Sequence, residues 1–177
     1  MKKSTLSVAC AAILATNVAY AGPIKATVVA PSKTDIMLAS TAADFFEYLG
    51  KVNTQGSPSS APFEDDYAGN WSAIGAFGSE GKAVSAHGQI TSPLKFSFAF
   101  GNSANAGTWS VTNTLANTDI TLDLVFAMHT GGGSGAWLFD DQVILAGTTQ
   151  TGSWSQRMLN KGGNAGAYSN LTLFSSG

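Results

Sequence analysis

By residue type, four tryptophans are the side chains of this chain best suited to hold a ligand, and they share a spacing. Trp71, Trp109, Trp137 and Trp154 each follow a glycine by two positions, at Gly69, Gly107, Gly135 and Gly152, and Ser follows three of the four. An indole offers a flat apolar face with a polar edge, which suits stacking on a sugar ring. It also buries a large area when it packs inward. A glycine that permits a bulge or φ > 0, followed by a large aromatic, reads as a device that starts a short strand and buries area at once. Core packing is therefore the expectation for any single ring, and Trp109, Trp154 and Trp137 are carbohydrate-binding candidates if exposed. The intervals between them are unequal, so they mark no solenoid repeat.

The carboxylates are the second group. Asp140-Asp141 and Glu64-Asp65-Asp66 could ligate calcium, a hard cation that takes carboxylate and carbonyl oxygens. Neither run has the D-x-D-x-D-G spacing of a calcium loop, and acidic pairs in turns are commonly just solvated. Support for catalysis is thin. His87 and His129 are the only histidines, with no metal-type spacing and no recognisable nucleophile beside them in sequence. No G-x-S-x-G or H-E-x-x-H occurs. A carboxylate pair for glycoside hydrolysis needs only to meet in space, which leaves Asp44, Glu47, Asp123 and Asp140 as equal candidates. Gly131-Gly132-Gly133 lacks the Lys-Ser/Thr of a phosphate loop and reads as a mobile hairpin tip.

The chain has 177 residues, 44% hydrophobic and only 11% charged, with a formal charge of −2. Lys2 and Lys3, an apolar run from Leu6 to Ala15 and the small-x-small site Ala19-Tyr20-Ala21 form the pattern of a secretory signal peptide over residues 1–21. That apolar run is far short of the roughly 20 residues a membrane span needs. The expectation is one domain over residues 22–177, secreted or at the cell surface, with a periplasmic location the alternative. Cys10 is the only cysteine and leaves with the signal, so the mature chain would carry neither disulfide nor thiolate ligand. Its net charge would be −4, since both removed charges are positive and every acid lies further on. An acidic balance argues against nucleic acid and against adhesion to anionic lipid.

These groups must be positioned mainly by strands. Leu94 to Phe100 alternates cleanly, with Leu94, Phe96, Phe98 and Phe100 on one face and Lys95, Ser97 and Ala99 on the other. Asp119 to Met128 repeats the pattern through Ile120, Leu122, Leu124 and Phe126, and Leu171 and Leu173 through the last segment. Trp71–Phe77, Lys82–Thr91, Thr108–Thr114 and short stretches around Trp137 and Trp154 are further strands, as is Ile24–Val28. Thr41–Lys51 reads as a helical turn capped by Thr41 with Asp44 at the capping-box position, and a strand is the alternative there. Many short strands, turn residues between them and almost no helix indicate an all-β antiparallel sandwich of jelly-roll type. Residues 22–40 are weakly patterned and could form a detachable N-terminal strand that adds to a neighbouring subunit.

Several stretches resemble the C-terminal half of bacterial exported PEP-CTERM-type proteins. They are FFEYLGKVN, GNWSAIGAFG, SANAGTWSV, LVFAMHTGGGSGAWLFDD, TGSWSQRMLN and YSNLTLF, covering Phe45 to Phe174. Met128 stands where that family usually has lysine, Trp137 where it has tyrosine and Asn170 where it has histidine. The family's Val-Pro-Glu-Pro sorting tail is not seen up to Gly177, so membrane sorting is not carried over. The resemblance implies export and association with an exopolysaccharide matrix or the cell surface, and it assigns no catalytic residues. The expected function is a non-enzymatic structural or binding component of the extracellular matrix, with exopolysaccharide or further copies of itself as partners. A lectin-like carbohydrate-binding module is the alternative, and a glycan-active hydrolase a weaker one. No cofactor is expected, with calcium at Asp140 and Asp141 the one alternative.

Overall fold

The computed structural model describes residues 30–51 and 70–176. The signal peptide, the strand expected at Ile24–Val28 and the acidic run Glu64-Asp65-Asp66 lie outside the described residues.

Two antiparallel five-stranded sheets face each other as a β-sandwich. The strands are β1 (Ile36–Leu38), β2 (Thr41–Ala42), β3 (Phe45–Tyr48), β4 (Ser72–Phe77), β5 (Leu94–Phe100), β6 (Ala106–Asn113), β7 (Ile120–Thr130), β8 (Gly133–Ile144), β9 (Thr149–Ser155) and β10 (Tyr168–Ser176). The first sheet runs β2-β1-β9-β6-β5 and the second β3-β8-β7-β10-β4. In chain order the strands pass repeatedly from one sheet to the other, in a jelly-roll-like manner. The only helical turn among the described residues is Lys33–Asp35.

The alternating segments behave as their period requires. Leu94, Phe98, Leu122, Leu124, Phe126, Leu171 and Leu173 are buried between the sheets, and Phe96 and Ile120 pack against them at the rim. The centre is aromatic: Phe98 stacks on Trp154 with ring centroids 4.6 Å apart, and Trp109 meets Phe126 edge-on at 5.2 Å. A second apolar cluster, including Val125, Ala127, Ala136, Leu138 and Phe174, uses the opposite face of the second sheet. β7 and β8 are thus buried on both faces, which is why they show long buried runs instead of alternation.

Three expectations change. Thr41–Lys51 forms the two short strands β2 and β3 and not a helix. Phe45–Tyr48 pairs with Gly135–Leu138 of β8, and the Asp44 carboxylate accepts the Asp140 N–H (2.9 Å), so it caps nothing. Lys82–Thr91 is not a strand. A bridge at Ala83 and a bond from Val84 N to the Ala76 carbonyl are followed by a turn at His87-Gly88, which the Gln89 side chain closes by accepting from Ala86 N. The described part of the supposed detachable segment is built into its own sheet. β1 lies between β2 and β9, with Ile36 and Leu38 buried, and Ala39-Ser40 turns it into β2 with φ of 48° and 69°. Positive φ at both central residues is the turn that matches the twist of a two-residue hairpin.

Candidate functional site: a hydroxyl face and an acidic bulge

The sugar-platform reading of the tryptophans is corrected by their burial: Trp109, Trp137 and Trp154 are each at most 2% exposed. Nor do they open strands. Trp109 and Trp154 sit well inside β6 and β9, and the glycines before them keep extended backbones. Their spacing has a different cause. β6 and β9 pair antiparallel with Gly107 opposite Trp154 and Trp109 opposite Gly152. Each indole lies across the other strand's glycine and donates to a carbonyl one strand further on: Trp109 Nε1 to Met37 O (2.9 Å) and Trp154 Nε1 to Ala99 O (3.0 Å). A Cβ at Gly152 would fall on the Met37 carbonyl and the Trp109 indole, and one at Gly107 on the Ala99 carbonyl and the Trp154 indole. Trp137 likewise donates to Ser32 O (2.9 Å). The Trp109 and Trp154 rings thus span the first sheet from inside, and all three rings are core.

Turning the aromatics inward leaves the outer face of that sheet to small hydroxyl side chains. The register sets Ser97, Ser110 and Thr151 in one row, Lys95, Thr112 and Thr149 in a second, and Ala99, Thr108 and Ser153 in a third. Strand geometry spaces such rows about 6.7 Å apart and neighbours within a row about 4.8 Å apart. The hydroxyls are tied to one another, Ser97 Oγ to Ser110 Oγ and Thr112 Oγ1 to Thr149 Oγ1, both at 2.7 Å. A shallow depression of about 340 Å³, lined by Met37, Ser40, Thr108, Thr151, Gly152 and Ser153, lies at the β1 side. Lys95 is the only charged residue in the three rows.

The second feature is a bulge in the β7–β8 ladder. Leu122 pairs with Gln142 and Leu124 with Phe139, so Asp123 alone opposes Asp140 and Asp141. Asp141 takes φ 50°, tolerable for a residue whose short polar side chain bonds locally. Its N–H donates to Asp123 Oδ1 (3.0 Å), while Asp140 N donates to Asp44 Oδ2 (2.9 Å). The carboxylate oxygens of Asp123, Asp140 and Asp141 converge within 4.8 Å of one another. Desolvation, then the hydrogen bond and charge of Asp123 and the charges of Asp141 and Asp44, push the Asp140 carboxyl above its ordinary range. Three of the four carboxylates named for hydrolysis, Asp44, Asp123 and Asp140, thus meet at one spot, with Asp141. Glu47 lies on β3 and pairs with Ala136 of β8.

Two groupings escaped the sequence. His129 Nδ1 lies 2.6 Å from Ser134 Oγ, across the β7–β8 hairpin, so a histidine does have a serine beside it. Ser134 is fully buried, and the pair holds the turn. The turn itself is no mobile tip: Gly132 is buried and its carbonyl accepts from the Tyr48 hydroxyl (3.0 Å). Asp35 is buried, bonded to Ser32 N and Ser155 Oγ, and paired with Arg157 at 2.9 Å. Burial pushes its carboxyl up against those stabilising contacts. It fastens the chain before β1 to the end of β9. Among the described residues no helix is long and apolar enough to cross a membrane. The chain matches no protein-family model, no curated protein and no solved structure.

Proposed function

We propose that this chain is a secreted, non-enzymatic structural component of a bacterial extracellular matrix, which engages exopolysaccharide through the outer face of its first sheet and also associates with itself. The observation that carries the reading is the hydroxyl grid of β5, β6 and β9, with Lys95 its only charge. Polysaccharide chains present hydroxyls at comparable intervals, and a flat surface of donors and acceptors can exchange hydrogen bonds with them directly or through water. The signal-like N-terminus and the resemblance to exported PEP-CTERM-type proteins agree with export. A neutral glucan is the favoured partner class, because a face with one cation has little to offer an anionic polymer.

Co-sedimentation with cellulose and with a soluble neutral exopolysaccharide tests the face. Thr108→Glu with Thr151→Glu, both exposed, is expected to abolish binding while leaving the melting temperature within a few degrees. Unchanged binding by that variant sinks the hydroxyl-face reading, and turnover of either polymer would defeat the non-enzymatic one.

A second reading concerns calcium at Asp123, Asp140 and Asp141, supported by the convergence of their oxygens. Three carboxylates drawn together by a bulge repel one another, and a hard divalent cation is the partner that relieves this. Its role would be to stiffen the β7–β8 ladder.

A further inference from the structure

Among the described residues β5 is the outer strand of the first sheet and pairs with β6 alone along its seven residues. Thr114 N donates to Pro93 O and Gly101 N to Ala106 O, so the odd-numbered positions of this strand direct their backbone groups at β6. By the alternation of an antiparallel ladder, Phe96, Phe98 and Phe100 direct theirs outward, and no hydrogen bond from another described segment reaches them. The remaining sheet edges among the described residues are shorter or occupied. β2 has two residues and β3 four, while β4 is flanked by the segment whose Val84 N and Ile90 N donate to Ala76 O and Ala73 O. Natural sheets guard such edges with charge, proline or bulges. β5 has one lysine, and Phe96 and Phe100 are only half covered at its rim.

We propose that β5 is a homodimer interface, in which two copies join this strand antiparallel about a two-fold axis at Ser97 to make one continuous ten-stranded sheet. The occupant is a second copy because an incoming strand needs an open edge of matching length, and β5 supplies that edge and complements itself. With Ser97 opposite Ser97 of the second copy, Phe96 and Phe98 exchange their free backbone bonds. Lys95 then faces Ala99 of the second copy, which keeps the two lysines apart. The two-fold is perpendicular to the sheet, so both hydroxyl faces end on the same side and the phenylalanine rims meet beneath. This deepens the self-association in the function proposed above and rests on that part of it.

The test uses the full chain in analytical ultracentrifugation and oxidative crosslinking. A dimer is expected, and Ala99→Lys, which sets like charges opposite each other at both ends of the interface, weakens it about tenfold or more. On a Cys10→Ser background, Ser97→Cys forms an intermolecular disulfide, because residues in a non-hydrogen-bonded pair have Cα atoms about 4.5 Å apart. Ser110→Cys, one strand inward on the same face, stays uncrosslinked, its counterpart being about 14 Å away by strand spacing. Thermal melts by circular dichroism establish that each variant is folded. If oligomers form but ignore Ala99→Lys and give no disulfide at position 97, this interface is wrong while self-association stands. A chain that remains monomeric at every concentration overturns both. A dimer crosslinked at position 97 that binds no polysaccharide keeps the interface and removes the matrix role.

Discussion

Trp109 and Trp154 are each held by a glycine that lies far from them in sequence and opposite them in the sheet. The recurrence of glycine two positions before tryptophan is plain in the chain, but its cause is not. Each motif is half of a pair, and the pairing of β6 with β9 is a long-range event. Gly152→Ala is expected to be among the most damaging small substitutions, because its Cβ meets a backbone carbonyl that cannot move without unpairing β1. A loss of about 3 kcal/mol or more, or failure to fold, should appear in denaturant unfolding. Gly147→Ala is the control: φ is 64° but the space around it is open, so only backbone strain of about 1 kcal/mol is at stake. Trp109→Phe keeps most of the ring and loses the bond to Met37 O. The lost indole bond and the small void together predict a cost of about 2 kcal/mol. A Trp109→Phe protein as stable as the parent would mean that the indole bond contributes nothing.

At the level of elements, legibility followed the number of covered faces. β5 has one face inside and one outside, and its residues alternate accordingly. β8 is covered on both sides, so Ala136 and Leu138 are buried as well as Trp137 and Phe139, and the periodic signal vanishes. β3 misled for a different reason: Phe45 and Tyr48, on opposite faces of the strand, are both more than half exposed, so this apolar segment shows no alternation either. The acidic bulge was half legible. Asp140-Asp141 is adjacent in sequence, whereas Asp123 arrives through ladder register and Asp44 through the chain before β3. Its electrostatics give a pH dependence with a definite sign. A carboxyl raised above its ordinary value of 3.8 is bound to its proton more readily in the folded state. Its stabilising contribution is therefore complete below that value and is lost as pH climbs through the raised one. Without divalent cations, Asp140→Asn should melt higher than the parent at pH 7 and equal to it near pH 3. Added calcium should raise the parent and not the variant, and a parent indifferent to millimolar calcium removes the cation reading.

For the whole molecule, β1 and the turn before it hold a position out of proportion to their length. The Met37 carbonyl receives the Trp109 indole, Ser32 receives that of Trp137, and Asp35 holds Arg157 beside β9. Deleting the chain through Leu38 strips these acceptors and opens the β9 edge, so the truncated protein is expected to lose cooperative unfolding. A truncated form with an unchanged melting transition would show that the first sheet stands without it. The crossed indoles carry a further consequence, for the time course of folding. β7 and β8 are joined by a two-residue turn and can pair within microseconds, whereas β6 and β9 must wait for that whole hairpin to be gathered between them. Neither indole finds its carbonyl or its apolar surroundings before then. In a refolding experiment the blue shift of tryptophan emission should therefore trail the growth of far-ultraviolet dichroism, with the last phase slowed by Gly107→Ala and Gly152→Ala wherever those chains still fold.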